Sequence, residues 1–316
     1  MMEINLVSNN KPVEDKPAST IYLHSLGGVA ALSSAFCWAI SAVLFQQVGK
    51  EVSAVAMNLV KGIVAIICIG LILIPVGFAD ISDDAFFLLA MSGLVGICLG
   101  DTLYFLTINR LGSRLTLLIG SLIPVATALI AMTMLGERIS LNAAIGLILT
   151  ITGVGYVLWE RSPATEHDAR WKLGLLFGLL FVLANASGII FTKVGVKDVP
   201  ALDATLVRTV WAVIGLAAWG TITRSFVSWI KPIKDPKLRN RLLVASVIGA
   251  FLGTWFSVIA LKYTDAVVAV TLNSTSPLFV LPLAMLYLKE QISWRAVGGA
   301  FVAIMGVAVY FFSIQW

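Results

Sequence analysis

GICLGDTLYFLTINRLGSRLTLLIGSLIPVATALIAMTMLGERISLNAAIGLILTITGV at residues 96–154 returns, without a gap, as GAFLGTWFSVIALKYTDAVVAVTLNSTSPLFVLPLAMLYLKEQISWRAVGGAFVAIMGV at residues 249–307. A shift of 153 leaves sixteen of 59 positions identical, among them Gly96/Gly249, Gly100/Gly253, Ser121/Ser274, Pro124/Pro277, Glu137/Glu290, Ser140/Ser293, Gly146/Gly299 and Gly153/Gly306. Shared apolar composition matches Leu with Leu and Ala with Ala. It does not bring prolines, glutamates and glycine spacings into one register, so the chain is an internal duplication.

The repeat extends toward the N-terminus with small changes of register. SAVLFQQVG at 41–49 lies over SGIIFTKVG at 187–195 at a shift of 146, and NLVKG at 58–62 lies over TLVRT at 205–209 at a shift of 147. The second alignment pairs Lys61 with Arg208.

Hydrophobic residues make up 59% of the 316 residues and charged ones 12%, with a mean hydropathy of +0.95. Soluble domains carry about 25% charged residues, so the composition predicts an all-α polytopic membrane protein. Apolar stretches fall at 26–47, 53–75, 85–107, 114–135, 140–159, 172–194, 200–222, 240–261, 266–288 and 293–314. Each is about 20 residues, enough for a helix to cross a hydrocarbon core about 30 Å thick. The expectation is ten transmembrane helices in two five-helix repeats, at 23–160 and 172–316, joined by a linker at 161–171 and preceded by a disordered aqueous tail at 1–22. With an odd number of spans in each repeat the second enters from the opposite side, which makes the repeats inverted.

The tail lacks the basic head, short apolar run and small-residue cleavage site of a secretory signal. Cys37, Cys68 and Cys98 fall inside predicted spans and read as small hydrophobes, while His24 and His167 have no ligand-spaced partners. No metal, cofactor or Gly-Lys nucleotide motif is expected. The net charge of +5 reads as loop asymmetry rather than a nucleic-acid surface. Six Lys and Arg fall on the side of the termini and fourteen on the other, which places both termini outside the cytoplasm by the positive-inside rule. Much of that excess comes from one loop, residues 223–241.

The informative residues are those a bilayer should exclude. Lys61 and Arg208 lie near the centres of spans 2 and 7, where a cation costs about 2.5–3.5 kcal/mol on the insertion scale. Each needs water, an anion or carbonyls around it, and inverted symmetry places them at equal depth, so a shared central cavity is the simplest site. Asp101 is the clear counter-charge within the spans; Thr254 stands at its place in the second repeat. One positive charge is left over for an incoming carboxylate or phosphate. The alternatives are that the cations snorkel or pair structurally, and that Asp101 is a proton-coupling site rather than the partner of Lys61.

Pro124 and Pro277 fall in the middle of spans 4 and 9, where each removes an amide donor and frees the carbonyl at Gly120 or Asn273. Ser121, Asn273, Ser274, Thr275 and Ser276 stand around these breaks, so cavity lining and hinges are expected there, against a tolerated kink as the alternative. Trp38 and Trp255 lie deep enough to contact substrate, although packing or lipid would also account for them. Glu137 and Glu290 sit in the turns GERIS and KEQIS, where a serine then offers an N-cap, and read as structural.

A basic residue in the second helix, a mid-helix proline in the fourth and this turn before the fifth, in both halves, resemble the EamA-type family of the drug/metabolite transporter superfamily over residues 25–315. The resemblance implies a ten-helix permease of the plasma (inner) membrane working by alternating access, often exporting amino acids or other small metabolites. It also implies cytoplasmic termini, opposite to the charge count. The expected function is secondary-active transport, as an exporter, of a small anionic or zwitterionic metabolite such as an amino acid. Lys61 and Arg208 would hold its acidic group, and Asp101 would balance charge or carry a proton. A lipid or lipid-linked sugar flippase and a non-transporting sensor or assembly subunit are the rival readings. An enzyme is not expected, for want of a clustered nucleophile, base or metal set. The partners expected are a small-molecule substrate and the bilayer, with a homodimer left open.

Overall fold

The computed structural model describes residues 18–135, 141–160, 169–230, 234–264, 266–288 and 294–312, and all the regular structure among them is helical. The first repeat comprises α1 (Ala18–Val48), α2 (Ala54–Val76), α3 (Asp83–Ser92), a π-helical segment (Gly93–Asp101), α4 (Thr102–Gly120), α5 (Ile123–Leu135) and α6 (Leu141–Glu160). The second comprises α7 (Ala169–Gly195), α8 (Ala201–Ile222), the short α9 (Phe226–Ile230), α10 (Pro236–Ala245), a π-helical segment (Ser246–Gly253), α11 (Thr254–Tyr263), α12 (Ala266–Asn273), α13 (Ser276–Leu283), a short π-helical segment (Ala284–Leu288) and α14 (Trp294–Phe312). Ala18–Tyr22, read as tail, are helical, and the turns holding Glu137, Ser140, Glu290 and Ser293 lie outside the described residues.

The helix starts follow the sequence. Ser53 and Ser82 accept hydrogen bonds from the amides of Ala56 and Ala85, and Asp235 accepts from Lys237 ahead of a proline at the first helical position. Each side chain satisfies an amide that has no intrahelical partner. Gly112 breaks α4 with φ +82°, a conformation open to glycine, and the freed amide of Ser113 donates to Gln46 Oε1 at 2.7 Å.

Six described helical runs are long and apolar enough to cross a membrane: Leu26–Val48, Ala54–Val76, Asp83–Gly120, Arg170–Gly195, Ala201–Ile222 and Pro236–Tyr263. Shorter apolar helices cover Ala144–Gly153, Ser276–Tyr287 and Val297–Gly306. Ten individually long spans are not what the described residues show. The Asp83–Gly120 run bends at Gly112, and the segments expected as spans 4 and 9 are interrupted at Ser121 and Ser274.

The halves interlock. The first helix of each repeat packs chiefly in the other one: α1 against α10, α11, α12 and α13, and α7 against α3, α4 and α5. Ala31, Ala35, Ala39 and Ala42 are fully buried along α1, and such small side chains allow the close approach a central helix needs. The pairs α2–α8 and α6–α14 join equivalent helices across the repeats. Between α6 and α14, a Cβ on Gly153 would fall 2.5 Å from the Ala303 amide nitrogen and 2.8 Å from the Gly299 carbonyl. This contact is backbone against backbone. Leu71, Ile74, Val76 and Leu286 point outward, each more than two-thirds exposed, as lipid-facing side chains would.

Gly155, on the outer side of α6, meets nothing within 4 Å of a built Cβ. Gly155→Ala is therefore expected to stabilise the protein by about 0.5–1 kcal/mol through reduced chain entropy, read as a higher unfolding temperature in detergent. A lower unfolding temperature would place a partner on that face.

Candidate functional site

A cavity of about 140 Å3 lies among α1, the two long π-helical segments, α4, α7, α8 and the α12–α13 break. Its charged lining residues are Lys61, Asp101 and Arg208. Lys61 comes from α2 and is 8% exposed; its ammonium pairs directly with Asp101 and lies 5.4 Å from the centroid of the Phe105 ring. Asn58, three residues earlier on the same helix, donates to the Ile97 carbonyl at 2.8 Å and to Thr102 Oγ1 at 2.9 Å. These bonds fix α2 against the π-helical segment that ends in Asp101.

Arg208 enters from α8, also 8% exposed. Its Nε donates to Ser92 Oγ at 2.8 Å, and Ser92 Oγ in turn reaches the Gly188 carbonyl (2.8 Å) and Thr192 Oγ1 (2.6 Å). One edge of the guanidinium is thus held by neutral groups. Among the described residues no carboxylate lies within 4.0 Å of it. The two repeat-related cations therefore differ in state: Lys61 is neutralised by Asp101, whereas Thr254, at the equivalent place in the second repeat and also on the cavity wall, offers Arg208 no charge. The fixed charges lining the cavity sum to one positive.

The π-helical segments fall in register, Gly93–Gly100 over Ser246–Gly253 at the same shift of 153. The wider π turn disrupts the regular ladder, and such turns often accompany functional sites. Here Gly96, Ile97 and Asp101 face the cavity from one repeat and Gly249, Ala250 and Thr254 from the other. The glycines matter for proximity: a Cβ on Gly96 would lie 3.9 Å from Arg208 Nη2, and one on Gly100 would lie 2.7 Å from Asn185 Nδ2.

The proline breaks differ in form from mid-helix kinks. Helix α4 ends at Gly120 and α5 starts at Ile123; α12 ends at Asn273 and α13 starts at Ser276. Each proline is the second residue of the new helix, where its missing N–H would have had no partner in any case. Pro124 and Pro277 are buried and do not line the cavity. The Asn273 carbonyl is not free, since Ser276 Oγ donates to it at 2.6 Å. The two breaks meet: the fully buried Ser121 directs its hydroxyl at the Ser274 carbonyl, 3.5 Å away.

Of the residues singled out from the sequence, Trp38, Lys61, Asp101, Arg208, Asn273, Ser274 and Ser276 line the cavity. Ser121, Thr275 and Trp255 do not: Thr275 Oγ1 donates to the Leu272 carbonyl at 2.7 Å, and Trp255 stacks between Phe251 and Phe256 with centroids 5.7 and 6.2 Å away. Sequence reasoning missed Asn185, Ser41, Thr254 and Ser257, which also line it. Asn185 in the middle of α7 was the one with a readable signal, an amide in an otherwise apolar run. Among the described residues no group of three or more His, Cys, Asp or Glu could hold a metal ion.

Comparison with known proteins places this architecture. Residues 25–159 and 172–312 each match the EamA-like transporter family. An uncharacterized transporter of Archaeoglobus fulgidus is 26% identical over 284 residues, covering 88% of this chain and 95% of its own. Protein LicB of Haemophilus influenzae is 24% identical over 197 residues, 60% of this chain and 65% of its own. A protein known from a crystal structure shares the fold with a TM-score of 0.66 at 13% identity, over 92% of this chain and 98% of that one. With two family domains covering nearly all of its apolar sequence, the chain is a multi-pass integral membrane transporter, not an enzyme, and belongs to the EamA-like transporter family.

Proposed function

We propose that the protein is a secondary-active transporter of a small anionic or zwitterionic metabolite, moved by alternating access through the cavity between two inverted five-helix repeats. The carrying observation is the cavity charge: two buried cations, one carboxylate already paired with Lys61, and an Arg208 guanidinium with no carboxylate within 4.0 Å among the described residues. Ten membrane crossings accommodate the two family domains, if the bend at Gly112 divides one long helical run and each broken helix counts as one span. The meeting of the breaks at Ser121 and Ser274 suits a hinge shared by both repeats. A cavity of about 140 Å3 is near the ~150 Å3 that holds one benzene-sized ligand, which favours a small metabolite over a lipid. Export is the direction the family resemblance suggests, with amino acids the leading example.

Reconstitution of the purified protein into liposomes tests this. Arg208→Gln should weaken uptake or counterflow of acidic and zwitterionic solutes about 10–100-fold, the loss of a hydrogen bond to a charged group, while Arg208→Lys retains part of it. Unchanged transport in Arg208→Gln and Lys61→Gln would remove the anchoring role.

A further inference from the structure

Resting on that transporter reading, the geometry points to a narrower substrate: we infer that the cavity takes a monovalent carboxylate bearing a neutral hydrogen-bond donor beside it, such as a 2-hydroxy acid, in preference to the zwitterionic amino acid of the same skeleton.

Three observations carry it. The first is charge. A monoanion at Arg208 brings the lining to neutrality, whereas a zwitterion leaves the net positive charge in place and adds an ammonium to a space already holding Lys61 and Arg208. Asp101, the one lining carboxylate that could receive that ammonium, is occupied by Lys61. A phosphate monoester errs the other way, since its charge of about −1.5 to −2 exceeds what the cavity supplies. The second is polarity. Asn273 is 9% exposed and its Oδ1 has no hydrogen-bond partner among the described residues, while its Nδ2 faces Ser257 Oγ at 3.4 Å. A buried acceptor without a partner asks for a donor, which a hydroxyl supplies without charge. Asn185 Nδ2 is likewise without a partner among the described residues and packs beside Gly100, on the π-helical segment that Arg208 also flanks. The third is the remaining wall: Trp38, Phe45, Phe105, Phe181 and Ile189 give it an apolar character suited to a short aliphatic side chain.

The test is a matched ligand series on the reconstituted wild-type protein: 2-hydroxy-3-methylbutanoate, its deoxy counterpart 3-methylbutanoate, valine, and isobutyl phosphate, with lactate and 2-hydroxy-4-methylpentanoate and their own counterparts for size. Dissociation constants come from titration calorimetry and transport from counterflow. The hydroxy acids should bind about tenfold more tightly than either the deoxy acids or the amino acids, because each alternative leaves Asn273 Oδ1 unpaired or the cavity charge unbalanced. In Asn273→Ala the hydroxy and deoxy acids should agree within about twofold. Tighter binding of valine or of the phosphate ester overturns the monoanion inference and leaves the transporter reading intact. Equal affinity of hydroxy and deoxy acids in the wild type overturns the role of Asn273; this ligand comparison does not depend on any variant folding. If no organic or amino acid is bound or moved and Arg208→Gln changes nothing, the transporter reading fails together with the inference.

Discussion

Asp101→Asn is expected to destabilise the protein by about 3 kcal/mol, a large effect for so small a change of shape. The carboxylate is the one lining group that neutralises either cavity cation, and its removal leaves Lys61 and Arg208 facing one enclosed space with no fixed anion. Breaking a buried pair on one side costs about 3–5 kcal/mol because the surviving charge keeps its desolvation penalty. The low end applies, since the side chains are 10% and 21% exposed and some hydration persists. The second half of the expectation separates charge from packing. Lys61→Met combined with Asp101→Leu should recover most of the loss, as apolar replacement of a buried pair often does. Reversible unfolding in mixed detergent reads both variants. If the single variant lost under about 1 kcal/mol, the pair would be a hydrated surface contact of the kind worth little.

Gly188→Val is expected to prevent recovery of a monodisperse protein, and Gly188→Ala to destabilise it by about 1–3 kcal/mol or more. A Cβ at this position in α7 would lie 2.7 Å from Gly96 Cα and 3.1 Å from the Gly96 amide nitrogen. Both partners are backbone, so no side chain can swing aside. Helix α7 must then move off the π-helical segment, and it carries the Gly188 carbonyl to which Ser92, the support of Arg208, donates. Size-exclusion in detergent and thermal unfolding check the fold, and anion binding by the alanine variant checks the site. A normally folded valine variant would show that the α7 contact is loose.

The parts of the site that were legible in the sequence are the ones that violate membrane chemistry. Lys61, Arg208 and Asp101 stand out because an ionised group in an apolar run needs a reason, and the repeat register showed that the cations correspond. Asn185 carried a signal, an amide in an apolar run, but Thr254 and Ser257 were not legible as cavity residues, because only the helical face distinguishes them from other polar residues in spans. That face is set for Thr254 by the π-helical turns just before it, where extra residues per turn rotate the register away from the 3.6-residue period that sequence reading assumes. The prolines were visible as a repeated break, yet a missing N–H is tolerated both at a kink and in the first turn of a new helix, so their place after the interruption had to come from the structure. The duplication that the two family matches reflect was legible from Pro124/Pro277 and the glycine spacings. The interlocking of α1 and α7 with the opposite halves was not, because apolar helices in a bilayer carry little pattern that says which neighbour they meet.

The unequal pair Asp101 and Thr254 also limits the protein's ancestry. A complex of two identical halves carries every charge twice, so the cations and carboxylates meeting at its centre sum to an even number: zero with an aspartate in each half, two positive with a threonine in each. The single positive charge found here cannot arise in such an assembly. A single positive charge of this kind requires halves that differ in sequence. Thr254→Asp, which gives the two halves equal cavity charges, would return the centre to zero, a charge state open to an assembly of two equal subunits.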